Sequence, residues 1–248
     1  MHEIGPLVRL WTRDELLEVL RLYCVLPFGR LHSRNPLIID LANRIGRTAN
    51  AVALKAVNFA SLDPTIDRKG MENASALDRR VWAEFFDNID RFALPELSVQ
   101  AGGFSESAQA EYSFAEREGL DVVGTAKRRV NQSFFRSMII ASYESRCAMT
   151  GISDDRLLVA SHIDTWASNP KERLNPRNGL CLNYLHDRAF EKGLIAVAPD
   201  LSILYSSKLP DEDRNKLRMV ARERLTLPHR FKPDAELLER HRASRFIV

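Results

Sequence analysis

Two histidines, an asparagine and an aspartate in the C-terminal half combine residue types that could carry out acid-base chemistry. His162 lies near the end of an apolar run, Leu157–Ile163, that predicts a buried strand. Asn178 opens a second run, Gly-Leu-Cys-Leu, beyond a polar loop, and His186 and Asp187 follow in a predicted helix. An imidazole has an ordinary pKa near 6.5, so His162 could take a proton from water at neutral pH.

These residues belong to a predicted strand, loop, strand and helix, in that order. The loop over 168–177 is rich in Asn, Pro and charged residues, and the helix is predicted to end at Gly193. An amphipathic helix over 131–143 precedes the first strand. The order predicts a ββα unit that brings together the strand-end histidine, the asparagine and one residue of the helix.

Four short motifs follow one another in this half of the chain. They are Cys147-Ala-Met-Thr150-Gly151, Ser161-His162-Ile163, Asn178-Gly179-Leu180 and, from His186, His-Asp-Arg-Ala-Phe-Glu-Lys-Gly-Leu. With these motifs, the stretch from about Arg128 to Lys208 resembles the bacterial branch of the HNH endonuclease superfamily. The tail from Leu227 to Phe246 is similar to the C-terminal extension of that branch.

The resemblance implies hydrolysis of DNA phosphodiester bonds by a metal-dependent endonuclease. In that reaction His162 would be the general base, and Asn178 would hold the loop and orient the imidazole without titrating. A divalent cation would stabilise charge on the scissile phosphate and on the leaving 3′ oxygen. The predicted cation is Mg²⁺ or Mn²⁺, with Co²⁺ or Ni²⁺ as alternatives.

The metal ligand on the helix is either His186 or Asp187. Adjacent helical residues point about 100° apart, so both side chains cannot aim at one ion without distortion. We favour His186, although alignment with some relatives selects Asp187. Many HNH enzymes have an acidic residue just before the catalytic histidine, where this chain has Ser161. Water, Asp164 or the substrate would then complete the metal shell.

Three arginines flank the predicted site, and the zinc ligands of other HNH proteins are absent. Arg173, Arg177 and Arg188 are candidate DNA phosphate contacts, with a solvated surface role as the alternative. Cys147 and Cys181 stand where relatives have C-x-x-C pairs, but their partners would be Thr150 and Tyr184, which are poor zinc ligands. No structural zinc is therefore predicted.

The N-terminal part reads as helical. Thr12 and Glu15 have capping-box spacing before a helix over 13–24, and Asn35-Pro36 begins a second helix that stops at Gly46. A third helix should start at Thr48. The predicted domains are 1–96, helical and helix-turn-helix-like, then a linker over 97–125 and a nuclease domain over 126–248. The predicted fold class is α+β, a helical domain followed by a ββα-metal domain.

The second and third helices permit two interpretations. As a helix-turn-helix, the third helix would present Arg47, Asn50 and Lys55 to a DNA groove. As an ordinary helical hairpin, the pair would only be part of a bundle, and this second interpretation is favoured because the pattern is nonspecific. Trp82 and Phe86 lie beside a helical apolar stripe and are predicted to be core residues.

Charge and cysteine usage suggest a partner and a compartment. Residues 127–248 contain 22 Lys and Arg against 15 Asp and Glu, whereas the preceding residues contain 14 against 18. The basic half suits a polyanion such as DNA. Three scattered cysteines and no long apolar run predict a cytoplasmic protein without membrane association. A homodimer is left open.

Three functions are compatible with these patterns. The first is a DNA endonuclease of a restriction or phage-defence system whose N-terminal region selects the target. The second is a nuclease effector whose N-terminal domain senses a partner or oligomerises. The third is a DNA-binding regulator with a degenerate nuclease domain, and the serine at position 161 favours it.

Overall fold

A computed structural model describes residues 9–66, 73–92, 122–165 and 172–248, with only the backbone described for 122–130. The described helices and strands are α1 (Arg13–Val25), α2 (Pro36–Ile45), α3 (Ala49–Ala60), α4 (Ala76–Asp87), α5 (Ile89–Phe92), α6 (Val122–Ser142), β1 (Leu158–His162), β2 (Gly179–Asn183), α7 (Tyr184–Glu191), β3 (Ile195–Val197), β4 (Ile203–Tyr205), α8 (Asp211–Val220) and α9 (Ala235–Arg245).

Local capping signals fix the starts of the first three helices. The Thr12 hydroxyl accepts from the Glu15 amide at 3.3 Å, and the Glu15 carboxylate accepts from the Thr12 amide at 3.0 Å, which completes the predicted capping box. Asn35 accepts from Leu37 N at 2.9 Å, and Gly46 ends α2 with φ 64°. The three predicted helices are therefore confirmed, because each start depends on contacts within one turn.

Arg47 and Lys55, two of the residues that a DNA-reading helix would present, are paired within the helical region. Arg47 binds the buried Glu15 carboxylate at 2.8 Å and stacks 4.1 Å from the Trp11 ring centre. Lys55 binds both oxygens of Asp78, at 3.0 and 3.2 Å. These contacts occupy two of the three side chains that a DNA-reading helix would present. They agree with the bundle interpretation.

Helix α6 begins at Val122, nine positions before the predicted start at residue 131. The last residues of the predicted linker thus belong to a helix, and the rest of the linker up to residue 121 lies outside the described residues. Side chains of α6, including Phe134 and Met138, are buried in the same hydrophobic cluster as α1 residues such as Leu20. The domain boundaries stay a prediction.

The C-terminal half contains two antiparallel hairpins. β1 pairs with β2 and α7 follows directly, so the predicted ββα unit is confirmed, and β3 pairs with β4. Gly193 ends the α7 turn with φ 68°, and its missing Cβ leaves room for the C-terminal chain, because a Cβ would lie 1.9 Å from Arg245 O. The α+β fold class is confirmed.

The segment before α9 packs into the helical region. Phe231 lies among the rings of Tyr23, Trp82 and Phe86, with ring centres 5.6 to 6.3 Å apart. Trp82 also stacks on Phe59. Trp82 and Phe86 are thus packed against the core, as predicted, and the C-terminal segment completes the aromatic cluster around them.

Candidate active site

The β1–β2 hairpin determines which side chains share a face. His162 pairs with Gly179, and Ser161 pairs with Leu180. Paired residues of an antiparallel ladder project to the same side and consecutive residues to opposite sides, so His162 and Ser161 lie on opposite faces. A Cβ on Gly179 would lie 2.3 Å from Ile139 Cδ1, so α6 packs tightly on the His162 face.

Two contacts fix the His162 ring. Phe135 of α6 stacks on it with ring centres 4.0 Å apart and planes 11° apart. Nε2 lies 2.9 Å from the Arg173 carbonyl oxygen, which can only accept a hydrogen bond, so Nε2 carries the proton. A neutral imidazole of this tautomer has its lone pair on Nδ1. The ring is therefore oriented and its basic nitrogen is selected.

The pKa of His162 is lowered from its ordinary value near 6.5. Burial is the main cause, because it disfavours the charged ring, and the Arg173 carbonyl opposes the shift by accepting from Nε2. The lowered pKa keeps the ring neutral at pH 7. A neutral ring is the form that can accept a proton.

Asn178 joins the two described parts of the connection between β1 and β2, residues 163–165 and 172–178, here called the site loop. Its Oδ1 accepts from Asp164 N at 2.8 Å, and its Nδ2 donates to the carbonyl oxygens of Asp164 and Glu172, both at 3.0 Å. Its side chain is buried, with 1% of the residue exposed. Glu172 immediately precedes Arg173, so Asn178 also holds the backbone that orients His162.

Asp187 of α7 lies beside Ser161 of β1. Burial raises the pKa of Asp187, and the neighbouring Ser161 side chain partly offsets this shift. A carboxylate with a raised pKa is desolvated and incompletely neutralised by its neighbours, so a cation would bind it favourably.

His186 belongs to a buried polar cluster, consisting of Cys147, Thr150, Asn183 and His186. Its Nδ1 lies 3.1 Å from Asn183 Oδ1, and its Nε2 lies 3.3 Å from the Leu217 carbonyl oxygen. The Asn183 backbone N and side-chain Nδ2 donate to Cys147 Sγ at 3.3 and 3.7 Å, and Nδ2 also donates to Thr150 Oγ1 at 3.1 Å. The cluster ties the end of β2 to α7 and α8.

This arrangement separates the two predicted metal ligands on α7. His186 is 0% exposed and has an oxygen atom beside each ring nitrogen, whereas Asp187 is only partly buried and lies beside Ser161 of β1. Burial also lowers the pKa of His186. The geometry favours Asp187 over His186, contrary to the preference drawn from the sequence, and the ligand assignment remains a prediction. Asn183 contacts both Cys147 and Thr150, a contact that the sequence did not predict.

The three predicted phosphate-binding arginines differ in their surroundings. Arg173 is half-buried and supplies the carbonyl that orients His162. Arg177 binds the Asp234 carboxylate at 2.9 Å. Arg188 is exposed and pairs with Glu191 at 2.7 Å, one helical turn away. Their proximity to the hairpin is the basis for predicting that they contact DNA.

Sequence reasoning missed Phe135, Asn183 and the role of the Arg173 backbone. Asn183 has a recognisable signal, because an asparagine between a strand and a helix is a typical N-cap, and it accepts from His186 N at 3.0 Å. Phe135 is one of several apolar residues on α6. A backbone carbonyl has no sequence signal at all.

Comparison with known protein families identifies the class to which this region is similar. Residues 147–198 match the family of HNH endonucleases, and the match includes β1, the site loop, β2 and α7. This match supports nuclease activity. No curated protein matches the chain.

Neither a metal-ligand cluster nor a membrane-spanning helix is found among the described residues. Within the described ranges, no three His, Cys, Asp or Glu side chains form a group that could hold a metal ion by themselves. No described helix is long and apolar enough to cross a membrane.

Proposed function

We propose that the protein is a metal-dependent endonuclease that hydrolyses DNA phosphodiester bonds with His162 as the general base. The observation that carries this proposal is the oriented imidazole: Nε2 faces the Arg173 carbonyl, Phe135 stacks on the ring, and burial lowers the pKa. Nδ1 then takes the proton from the attacking water. The Arg173 carbonyl stabilises the imidazolium that forms, because it favours the protonated ring.

Asn178 acts through the site loop and does not titrate. Its three hydrogen bonds fix the backbone of Asp164 and Glu172. Asp164 lies two positions after the end of β1, and Glu172 directly precedes Arg173. Because both ends of the loop are held, the Arg173 carbonyl keeps its position beside the His162 imidazole. Positioning of this kind lowers the barrier because the reacting groups need no further ordering.

The residues beside the hairpin fit a hard divalent cation such as Mg²⁺ or Mn²⁺. Asp187 offers a desolvated carboxylate and Ser161 offers a hydroxyl. Mg²⁺ commonly binds one or two carboxylates and takes its other ligands from water and substrate phosphate, so an incomplete protein shell is compatible with it. When bound, the cation would neutralise charge on the phosphate and on the leaving oxygen. Co²⁺ and Ni²⁺ would gain little from this oxygen set.

The proposed substrate is DNA, contacted through its phosphates by Arg173 and Arg188. Arg177 could join them only by leaving Asp234. Phosphate contacts position a nuclease without reading sequence, so the helical N-terminal region is the proposed source of target selection in restriction or phage defence. The proposed compartment is the cytoplasm, where the three buried free cysteines would stay reduced.

A regulator with a degenerate nuclease domain is the second candidate. Ser161 favours it, because a hydroxyl replaces the acidic residue expected before the base. A weak metal site would allow DNA binding without cleavage. The partly buried, oriented His162 argues for the enzyme, since DNA binding without cleavage does not require a selected imidazole tautomer.

Plasmid nicking distinguishes the two candidates. The full chain should nick supercoiled DNA with Mg²⁺ or Mn²⁺ and stop with EDTA. His162→Ala should reduce the single-turnover rate by about 10²- to 10⁴-fold, the usual loss for a general base. DNA binding, measured by anisotropy, should persist in the variant.

His32→Ala is the matched control for this experiment. His32 is exposed and lies in the turn before α2, far from β1 along the chain. It should cleave at the wild-type rate. Metal-dependent nicking that survives unchanged in His162→Ala would exclude His162 as the base, and binding without any nicking by the wild type would favour the regulator.

A further inference from the structure

The segment leading into α9 holds the site loop from outside. Asp234 Oδ2 binds Arg177 Nη2 at 2.9 Å, and Asp234 N donates to the Arg177 carbonyl oxygen at 3.0 Å. The same carboxylate caps α9, because its Oδ1 accepts from Glu236 N at 2.9 Å. Asp234 therefore joins the start of a helix to the residue that directly precedes Asn178.

The other end of the site loop contacts the same helix. Arg240 Nη1 lies 3.5 Å from Asp164 Oδ2, and Arg245 Nη2 donates to Thr165 Oγ1 at 3.2 Å. Thus α9 and its cap contact the loop at both of its described ends. Asn178 joins those two ends through hydrogen bonds within the loop, and α9 with its cap joins them through contacts from a separate element.

The segment is itself anchored in the helical region. Arg230 is 1% exposed and donates to the carbonyl oxygens of Tyr23, Cys24 and Leu26 at the end of α1. Phe231 N donates to Asp63 Oδ2 at 2.9 Å. An anchor four residues before Asp234 restrains that carboxylate, so its bond to Arg177 can restrain the loop in turn.

We infer that Asp234 is a positioning residue of the nuclease reaction, acting through Arg177 on the site loop and so on the Arg173 carbonyl that orients His162. This inference rests on the proposed function. It also assigns the Arg177 guanidinium to holding the loop, in place of the phosphate contact suggested by the sequence. A residue that positions the base should affect the rate of cleavage and leave DNA affinity unchanged.

Asp234→Asn tests the inference with little disturbance of α9. Asparagine is as good an N-cap as aspartate, so the helix start is kept while the charge on Arg177 is lost. The turnover number should fall about 10- to 100-fold, a typical result of misplacing a reacting group. KM for plasmid DNA should stay unchanged, and Asp234→Glu, which restores a carboxylate, should recover part of the rate.

The matched control is Asp211→Asn. Asp211 also begins a helix and pairs with an arginine, Arg214, but it is exposed and belongs to α8. This variant should retain the wild-type turnover number. An equal loss in both variants would reduce the effect to a general loss of ion pairs and overturn the inference.

Hydrogen exchange separates failure of the inference from failure of the proposed function. The Asp164 amide donates to Asn178 Oδ1, so its exchange rate reports closure of the site loop without DNA or metal. It should exchange faster in Asp234→Asn and not in Asp211→Asn. Unchanged exchange, or a raised KM with an unchanged turnover number, would overturn the positioning role even if the protein proves to be an active nuclease.

Discussion

Charged side chains serve different purposes in the helical N-terminal region and in the ββα unit. In the helices, Arg47 and Lys55 are paired with the buried carboxylates of Glu15 and Asp78. Around the hairpin, His162 and Asp187 are partly buried, His162 beside the Arg173 carbonyl and Asp187 beside Ser161, and burial shifts both pKa values. Full pairing stabilises a fold, whereas incomplete neutralisation leaves a group ready to bind a proton or a cation.

Breaking the Lys55–Asp78 pair should produce the largest change in stability and no change in chemistry. Lys55→Met leaves Asp78, whose side chain is 1% exposed, without its cation. Loss of one partner of such a pair costs about 3 kcal/mol or more of unfolding free energy. Chemical denaturation measures it, and the cleavage rate of the folded fraction should be unchanged.

Lys216→Met provides the control for that measurement. Lys216 pairs with Glu212 on the surface of α8, with both side chains largely exposed. An exposed pair contributes about 0 to 1 kcal/mol. Equal losses in the two lysine variants would mean that the pair with Asp78 is no stronger than a surface pair.

Asn178→Asp should lower both the cleavage rate and the stability, unlike Lys55→Met, which should lower stability alone. The new carboxylate cannot donate to the carbonyl oxygens of Asp164 and Glu172, which lose their shared partner. We expect a 10- to 100-fold fall in cleavage rate, about the effect of a displaced catalytic group. Single-turnover nicking measures this. A variant as fast as the wild type would reduce Asn178 to a space-filling role.

The metal requirement should distinguish two neighbouring residues of α7. Asp187→Asn should raise the Mg²⁺ concentration needed for half-maximal cleavage by about tenfold, a typical effect of altering a metal site. His186→Ala should leave that concentration unchanged and lower stability, since it removes a buried member of the polar cluster. The reverse outcome would restore the assignment that the sequence favoured.

The pH dependence of stability should show the smallest effect, and it should arise in the C-terminal half. His241 stacks on Phe190, and burial lowers its pKa from 6.5 to about 4. A folded pKa below the unfolded value means that unfolding takes up a proton. The free energy of unfolding therefore falls as pH decreases below 6.5, and the stability that neutral His241 contributes is fully lost at about pH 4.

Between pH 7 and 5.5 this single group should cost about 1 kcal/mol of unfolding free energy. Urea denaturation at the two pH values measures the difference. His241→Phe keeps an aromatic ring against Phe190 and removes the titration, so its pH slope should be shallower.

The sequence by itself determined the elements whose signals are local. Thr12 with Glu15, and Asn35 with Pro36, fixed helix starts because each cap is completed within one turn. The order of the His162, Asn178 and His186–Leu194 motifs predicted the ββα unit through its resemblance to HNH nucleases. The start of α6 was predicted nine positions too late, because the composition of the stretch up to Thr125 favoured a linker.

Tertiary structure alone decided how the site is arranged, because its contacts join residues far apart in sequence or involve the backbone. The Arg173 carbonyl selects the His162 tautomer, and no side-chain pattern encodes a carbonyl. His186 and Asp187 are adjacent, and the sequence left both as possible metal ligands. Only the packing of α7 against β1 and α8 buries His186 and leaves Asp187 beside Ser161. Asp234 reaches Arg177 across 57 residues, a distance over which local propensity carries no information.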